Sequence, residues 1–380
     1  MLAAVAGCAG AGDSRETTDG QTVNQETESG PAAGQEMTAG TTASQETAAG
    51  TMASQETAAG TTVSQETTAE TTANPTANPA DETNQERTIR VGSLKGPTSM
   101  GLVGLMERAQ KGETESRYEF TMATAADEIN AAFLRGELDI VLIPANVASV
   151  LYNKTEGQLA VLNINTLGVL YVLENGETVQ SIADLAGRTV YLPGKGTTPD
   201  YALQYILAQN GLTDEVDLQY KAEAAEVISA LSEDTAAIGL LPQPAATTAC
   251  MQNEGLRIAL DLTQEWDRVS EDGSLVTGVT VVRRAFLEEN EAAVQEFLRE
   301  HADSAAFVNE HIEEAAELVA RLEIVPKAPV AAKAIPYCNI TCVTGEEMRT
   351  ALSGYLHVLY GQNPEAVGGK EPGEDFYYEP

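Results

Sequence analysis

Basic residues are scarce in this chain. It holds 22 lysines and arginines against 57 aspartates and glutamates in 380 residues, a formal net charge of −35. A surface this acidic repels nucleic acid and anionic lipid, so neither is expected as a general partner. It does not decide the sign of a ligand in a closed pocket, which is set by the pocket's own few groups. Cysteine is scarce too: Cys8, Cys250, Cys338 and Cys342. No Cys-x-x-Cys and no Cys/His cluster occurs, so no metal site is expected. Cys338 and Cys342 can bond to each other only if the turn between them allows it. The three histidines, His301, His311 and His357, lie on helical stretches with charged neighbours. They read as surface or core residues, not as ligands or bases. No segment reaches the apolar length of a membrane helix.

The first 87 residues lack what a core needs. Residues 1–8 end in Val5-Ala6-Gly7-Cys8, which resembles a bacterial lipobox, and Cys8 is the residue that would carry lipid. A basic n-region and a full apolar segment are missing, so the true start is expected upstream. Residues 9–87 carry thirteen acidic and two basic residues. Within them, residues 21–70 form five decads with Gln-Glu recurring at 25, 35, 45, 55 and 65. No large apolar position repeats, so a solenoid is excluded. The segment cannot offset its chain entropy and is expected to be a disordered, Thr-rich tether. As a random coil of about 80 residues it would span roughly 50 Å.

From residue 88 the pattern changes. Thr88–Ser93 alternates like a strand. Leu94-Lys-Gly-Pro-Thr-Ser-Met-Gly101 then turns into a helix, with Thr98 or Ser99 as its expected cap. Tyr118–Met122 and Asp139–Ile143 read as strands, with a helix at Ala125–Leu134 between them. A similar unit follows: a helix around Val227, Ile228 and Leu231, a strand at Ala236–Leu241, and the turn Pro242-Gln243-Pro244. Phe133 to Pro144 and Leu231 to Pro242 have the same spacing, which sets Asn146 against Pro244. Leu159–Leu173 reads as one long apolar strand run. With Leu275–Val282 it supplies two crossings between lobes. The expected division is lobe one at 88–178 plus 275–380, and lobe two at 179–274. Helices after Arg284 are expected to pack on lobe one.

The most informative stretch is Ser181–Tyr201. Thr189–Leu192 is a strand without charge. Pro193, Gly194 and Gly196 break it. Thr197 or Thr198 caps a helix that Pro199 opens and Asn210-Gly211 ends. Backbone N–H groups and a helix dipole then face one point beside Lys195, a place for an anion or a polar ligand edge. The spacing fits neither a P-loop nor a dinucleotide fingerprint. Strand–Gly–helix turns occur in any α/β protein, and most bind nothing. What distinguishes this one is its echo at Lys95-Gly96-Pro97-Thr98-Ser99: a lysine, a glycine, then paired hydroxyls.

Further residues carry a resemblance. Asp127-Glu-Ile129, Leu134-Arg-Gly-Glu-Leu-Asp-Ile140, Ile182-Ala-Asp-Leu-Ala-Gly-Arg-Thr-Val190 and Leu240-Leu-Pro-Gln-Pro-Ala245 are similar to the substrate-binding proteins of bacterial ABC importers, in the nitrate/sulfonate/taurine and thiamine-precursor-like group. Cys338-Asn-Ile340, Val367-Gly-Gly-Lys370 and Asp375-Phe-Tyr-Tyr378 resemble members from Gram-positive anaerobes. The similarity covers nearly all of 88–380. It implies an α/β chain of periplasmic-binding-protein-like type II fold, two β-α-β lobes joined by two hinge crossings. Carried over by position, the ligand-facing residues are Lys95, Gly96, Thr98, Ser99, Asn146, Lys195, Gly196, Thr197, Thr198, Gln243 and Pro244, with Pro97 and Gly194 in the same loops. Thr277 and Gly278 either line the cleft or bend the hinge, and Trp266 either stacks on a ligand or packs near the hinge.

The function implied is the extracellular solute-binding part of an ABC importer. Its partners would be a small solute, a permease and an ATPase, and Cys8 would anchor a monomer by lipid to the outer face of a Gram-positive cytoplasmic membrane. No cofactor is expected. The two lysines lean toward an anionic solute, and a heteroaromatic one stays open. Two other readings compete. An enzyme of pyrimidine or sulfonate metabolism would need a positioned acid, base or nucleophile, and no histidine or cysteine lies near the four loops. A surface sensor or adhesion module need not close on a small molecule.

Overall fold

The computed structural model describes residues 88–270 and 273–379; Cys8 and the repeats of residues 21–70 lie outside them. The chain runs through β1 (Thr88–Leu94), α1 (Pro97–Met100), α2 (Val103–Lys111), β2 (Arg117–Ala123), α3 (Ala126–Leu134), β3 (Ile140–Pro144), α4 (Ala145–Lys154) and β4 (Leu159–Leu167). Next come β5 (Leu170–Asn175), β6 (Thr189–Pro193), α5 (Thr198–Gln209), β7 (Asp217–Lys221), α6 (Ala224–Glu233), β8 (Ile238–Pro242), α7 (Ala245–Gln252), β9 (Leu256–Asp261) and α8 (Leu262–Val269). The chain then returns as β10 (Val276–Arg283), followed by α9 (Arg284–Glu289), α10 (Glu291–Glu310), α11 (Ile312–Arg321), α12 (Ala328–Ala334), β11 (Ile340–Val343) and α13 (Gly345–Gln362).

Two sheets result. One has the order β11-β4-β10-β3-β1-β2, the other β7-β6-β8-β5-β9. Each holds a parallel trio, β2-β1-β3 or β7-β6-β8, with a strand antiparallel to it on one side. The central strands β3 (IVLIP) and β8 (IGLLP) are uncharged because helices cover both faces. On α3 the apolar stripe is Ile129 and Phe133, both buried.

Strand directions locate the crossings. β10 is antiparallel to both β3 and β4, so β4 runs with β1 and β3 and ends on their side. In the other sheet Leu170, the first residue of β5, pairs with Pro242, the last of β8. Gly168-Val169 therefore lies where the C-terminal ends of both trios meet. The start of β10 lies there as well, with Gly278 opposite Pro144.

Three expectations need correction. The run Leu159–Leu173 is two strands in two sheets, not one, and β5 belongs with the second sheet although it falls within 88–178. A Cβ at Gly168 would overlap Thr263 Oγ1 and sit 2.9 Å from Leu275, so the chain breaks and turns where it has no side chain. Neither Thr98 nor Ser99 caps the helix after β1. Gly96 is its N-cap, and both hydroxyls bond back to the Leu94 carbonyl.

One apolar cluster runs through both sheets, from Phe133, Ile143 and Leu352 to Leu192, Leu203 and Leu240. Trp266 joins them. Its ring packs 4.5 Å from that of Tyr205 and 5.7 Å from that of Tyr355, and its Nε1 donates to the Gly273 carbonyl. It is a packing residue at the return crossing. At the end of the first sheet away from the crossings, Asp139 accepts from Arg90 and Arg283. Burial alone would raise that carboxyl's pKa, but the two guanidinium groups outweigh it and hold it below the ordinary range. Cys338 and Cys342 are separate free thiols, one against Met100 and one beside Asn163. Burial pushes them up to about 12 and about 11.

Candidate functional site

The four expected loops follow β1, β3, β6 and β8, at the strand ends on the side of the crossings. On the first sheet, the turn after β1 leaves Lys95 exposed and Gly96 buried at φ +142°. Ser99 is fully buried; its hydroxyl meets Ser93 at 2.7 Å and donates to Leu94 O at 2.6 Å. That hydroxyl holds the turn. Thr98 also bonds to Leu94 O, and its methyl group stands against β10: a Cβ at Gly278 would lie 2.9 Å from it and 2.5 Å from Asn165 Oδ1. Gly278 is thus a close-approach residue, and Thr277 beside it keeps a buried hydroxyl without a partner. Asn146, half-buried in the first turn of α4, makes one long bond of 3.5 Å to Ala366 O.

On the second sheet, Gly194 and Gly196 take left-handed conformations at φ +68° and +75°. Thr197 bonds back to Gly194 O, and Thr198 is hydrogen-bonded to Tyr355. Lys195 is exposed, its Nζ 5.2 Å from the centre of the Tyr220 ring. A carboxylate stands beside the helix start. Asp200, in the first turn of α5 and 2% exposed, accepts from Gly196 N–H at 2.7 Å, Gln204 Nε2 at 2.5 Å and Tyr220 Oη at 2.8 Å. Its negative charge lies at the positive end of the helix dipole, where it disfavours a second anion. Burial and that carboxylate push the Tyr220 phenol up to about 12.

Gln243 follows β8 in a cis peptide to Pro244. It is 3% exposed. Its backbone N–H donates to Val169 O at the crossing, and its Oε1 accepts from Thr247 N in the first turn of α7. Its Nε2 is buried without a partner. Pro244 O accepts from Thr248 in α7.

The two rims are tied together by residues the sequence did not single out. Tyr201 of α5 accepts from Gln362 Nε2 through its carbonyl and from Asn363 Nδ2 through its hydroxyl, at 3.3 and 3.0 Å. That hydroxyl lies 3.8 Å from a Cβ placed on Gly196. Asn363 O in turn accepts from Ala366 N, so Asn146 and the Gly196 loop are linked through residues 363–366. On the other side of the crossing, Tyr171 donates to Tyr337 O, and Asn339 donates to Gly168 O. A signal for Asp200 was present: Thr197-Thr-Pro-Asp200 matches the Ser/Thr-x-x-Asp/Glu spacing at a helix start. Nothing local marks Tyr201 and Asn363 as neighbours. A separate cavity of about 830 Å³ lies between α5, β7 and α13, walled by Tyr205, Leu218, Tyr220 and Val358; none of the four loops lines it.

Two α/β lobes, two crossings and strand-end loops facing them define the periplasmic binding protein fold, and solved structures share it. An ABC transporter from Parabacteroides distasonis matches with a TM-score of 0.65 at 22% identity, over 77% of this chain and 99% of its own. The periplasmic aliphatic sulphonate binding protein SsuA from Escherichia coli gives 0.60 at 19% identity, over 73% and 93%. A Candida albicans gene product, CA3427, reported to exhibit the generic periplasmic binding protein fold, gives 0.51 at 14% identity, over 76% and 93%. Residues 97–360 match the menaquinone biosynthesis family, and the chain belongs to that family. No curated protein matches its sequence.

Proposed function

We propose that this chain is the solute-binding component of an ABC-type importer, which traps a small molecule between its lobes and delivers it to a permease. The observation that supports this reading is that the loops after β1, β3, β6 and β8, two from each sheet, leave the strand ends on the side of the crossing at Gly168-Val169. A solute held there would be bonded from both lobes, and the difference in affinity between open and closed states would drive closure. Lys95, Gly96, Thr98, Asn146, Gly196, Thr198, Gln243 and Pro244 would face it, and Lys195 and Thr197 would form its edge. Ser99 would act by shaping its turn. Lipid at Cys8 would hold a monomer outside the cytoplasmic membrane of a Gram-positive cell, with the residues before 88 as its leash. Residues 88–178 plus 275–380 and 179–274 remain the proposed lobes, with β5 moved to the second.

The family description favours a second reading, an enzyme. Asp200 is the carboxylate in these loops, and its three bonded donors hold it in a structural role. None of the loops carries a histidine or cysteine. Thermal unfolding with a panel of small metabolites separates the readings. A solute at a hundred times its dissociation constant should add about 2.7 kcal/mol of stability. It should be recovered unchanged from the protein. Chemical conversion of the bound compound would establish the enzyme; silence across the panel would favour a sensor or adhesion module.

A further inference from the structure

The neighbouring folds include binders of sulphonates, and the two loop lysines suggest an anion here as well. The side chains around the crossing point the other way. We infer that the solute carries no negative charge where it meets the second lobe, and that it offers a neutral acceptor, a carbonyl oxygen or an unprotonated ring nitrogen, to Gln243. This rests on the crossing being the solute site.

Three observations carry it. The Gly196 N–H, just ahead of the N-cap of α5, is already taken by the chain's own Asp200, so a buried carboxylate sits beside the helix start. A second negative charge there would face a carboxylate that is 2% exposed and poorly screened. The nearby cations are not buried with it: Lys221, half-buried, lies over the Tyr191 ring. Lys95 and Lys195 are both exposed, Lys195 lies over the Tyr220 ring, and among the described residues no lysine or arginine is buried. What the site lacks is an acceptor. Thr247 N–H must meet an oxygen, so Oε1 of Gln243 is the bonded end and Nε2 the free one. A buried amide nitrogen without a partner is costly, and a carbonyl or pyridine-type nitrogen would satisfy it without bringing charge. The free hydroxyl of Thr277 on the facing rim serves a donor or an acceptor equally.

Matched pairs of probes test this on the full chain by calorimetry: nicotinamide against nicotinate, benzamide against benzenesulfonate, and propanamide against propanesulfonate. At least one neutral member should bind, with its anionic twin at least tenfold weaker. Gln243→Met should weaken the neutral member at least tenfold, and Asp200→Asn should narrow the gap between twins. The twin comparison on the unaltered chain stands whether or not a variant folds. Anions bound as tightly as their neutral twins, or a gap unmoved by a folded Asp200→Asn, would overturn the charge assignment and leave the receptor reading intact. Binding of no member of any pair would overturn both.

Discussion

At Gly168 the backbone passes from one sheet to the other with no room for a side chain. A methyl group there would overlap Thr263 Oγ1 and press on Leu275 at 2.9 and 3.2 Å. Gly168→Ala should therefore lose about 1–3 kcal/mol in urea unfolding. Adding Thr263→Ala should return part of it. The sequence did not reveal this position, because Leu159–Leu173 carries no charge and no proline and its break is imposed by residues far along the chain. His301 is a second case. It is fully buried in α10, Asn163 Nδ2 lies 3.1 Å from its Nδ1, and its Nε2 has no partner. Burial lowers its pKa to about 4 from 6.5. The unfolded chain thus takes up this proton first as pH falls. Stability from this group is complete above pH 6.5 and is lost on acidification toward pH 4, about 3 kcal/mol in full. Urea midpoints at pH 7 and pH 4.5 should differ less in His301→Gln than in the parent protein.

Among the elements, those with strong local signals were legible. The strand, glycine turn and helix at 189–209 follow from an uncharged run, two glycines and a proline at the start of the helix. The repeated spacing of helix, strand and turn ahead of Pro144 and Pro242 gave the doubled architecture. The short β11, paired at the edge of the first sheet, was not legible, since tertiary contacts hold it; α8, packed at the return crossing, does carry a local signal, the Asp261 N-cap that accepts from Thr263 N–H, which the sequence reading passed over. The contact between α5 and the end of α13 was equally hidden. Tyr201→Phe tests it: Asn363 Nδ2 would lose its acceptor, and stability should fall by about 1 kcal/mol. Scattering from the solute-free protein should show a larger radius of gyration if this bond helps hold the lobes together, and an unchanged radius would assign it to stability alone.

At the scale of the whole molecule, the two-lobed plan could be read from sequence, but its closing piece could not. Residues after α13 return to the first lobe. Phe376 is fully buried with its ring 5.0 Å from that of Tyr152, and Tyr378 N–H donates to Val161 O in β4. Both sheet neighbours of β4, β10 and β11, also come from beyond residue 275. The second sheet, by contrast, is drawn from one continuous stretch, 170–261. On the ribosome this inverts the order of assembly. The second lobe has all its strands once residue 261 is made, while β4 emerges with no partner on either edge. At about 5–20 residues per second, β4 waits roughly 6–20 s for β10. An unpaired strand invites pairing with other chains. It also keeps the first sheet incomplete until β10 and β11 have been made.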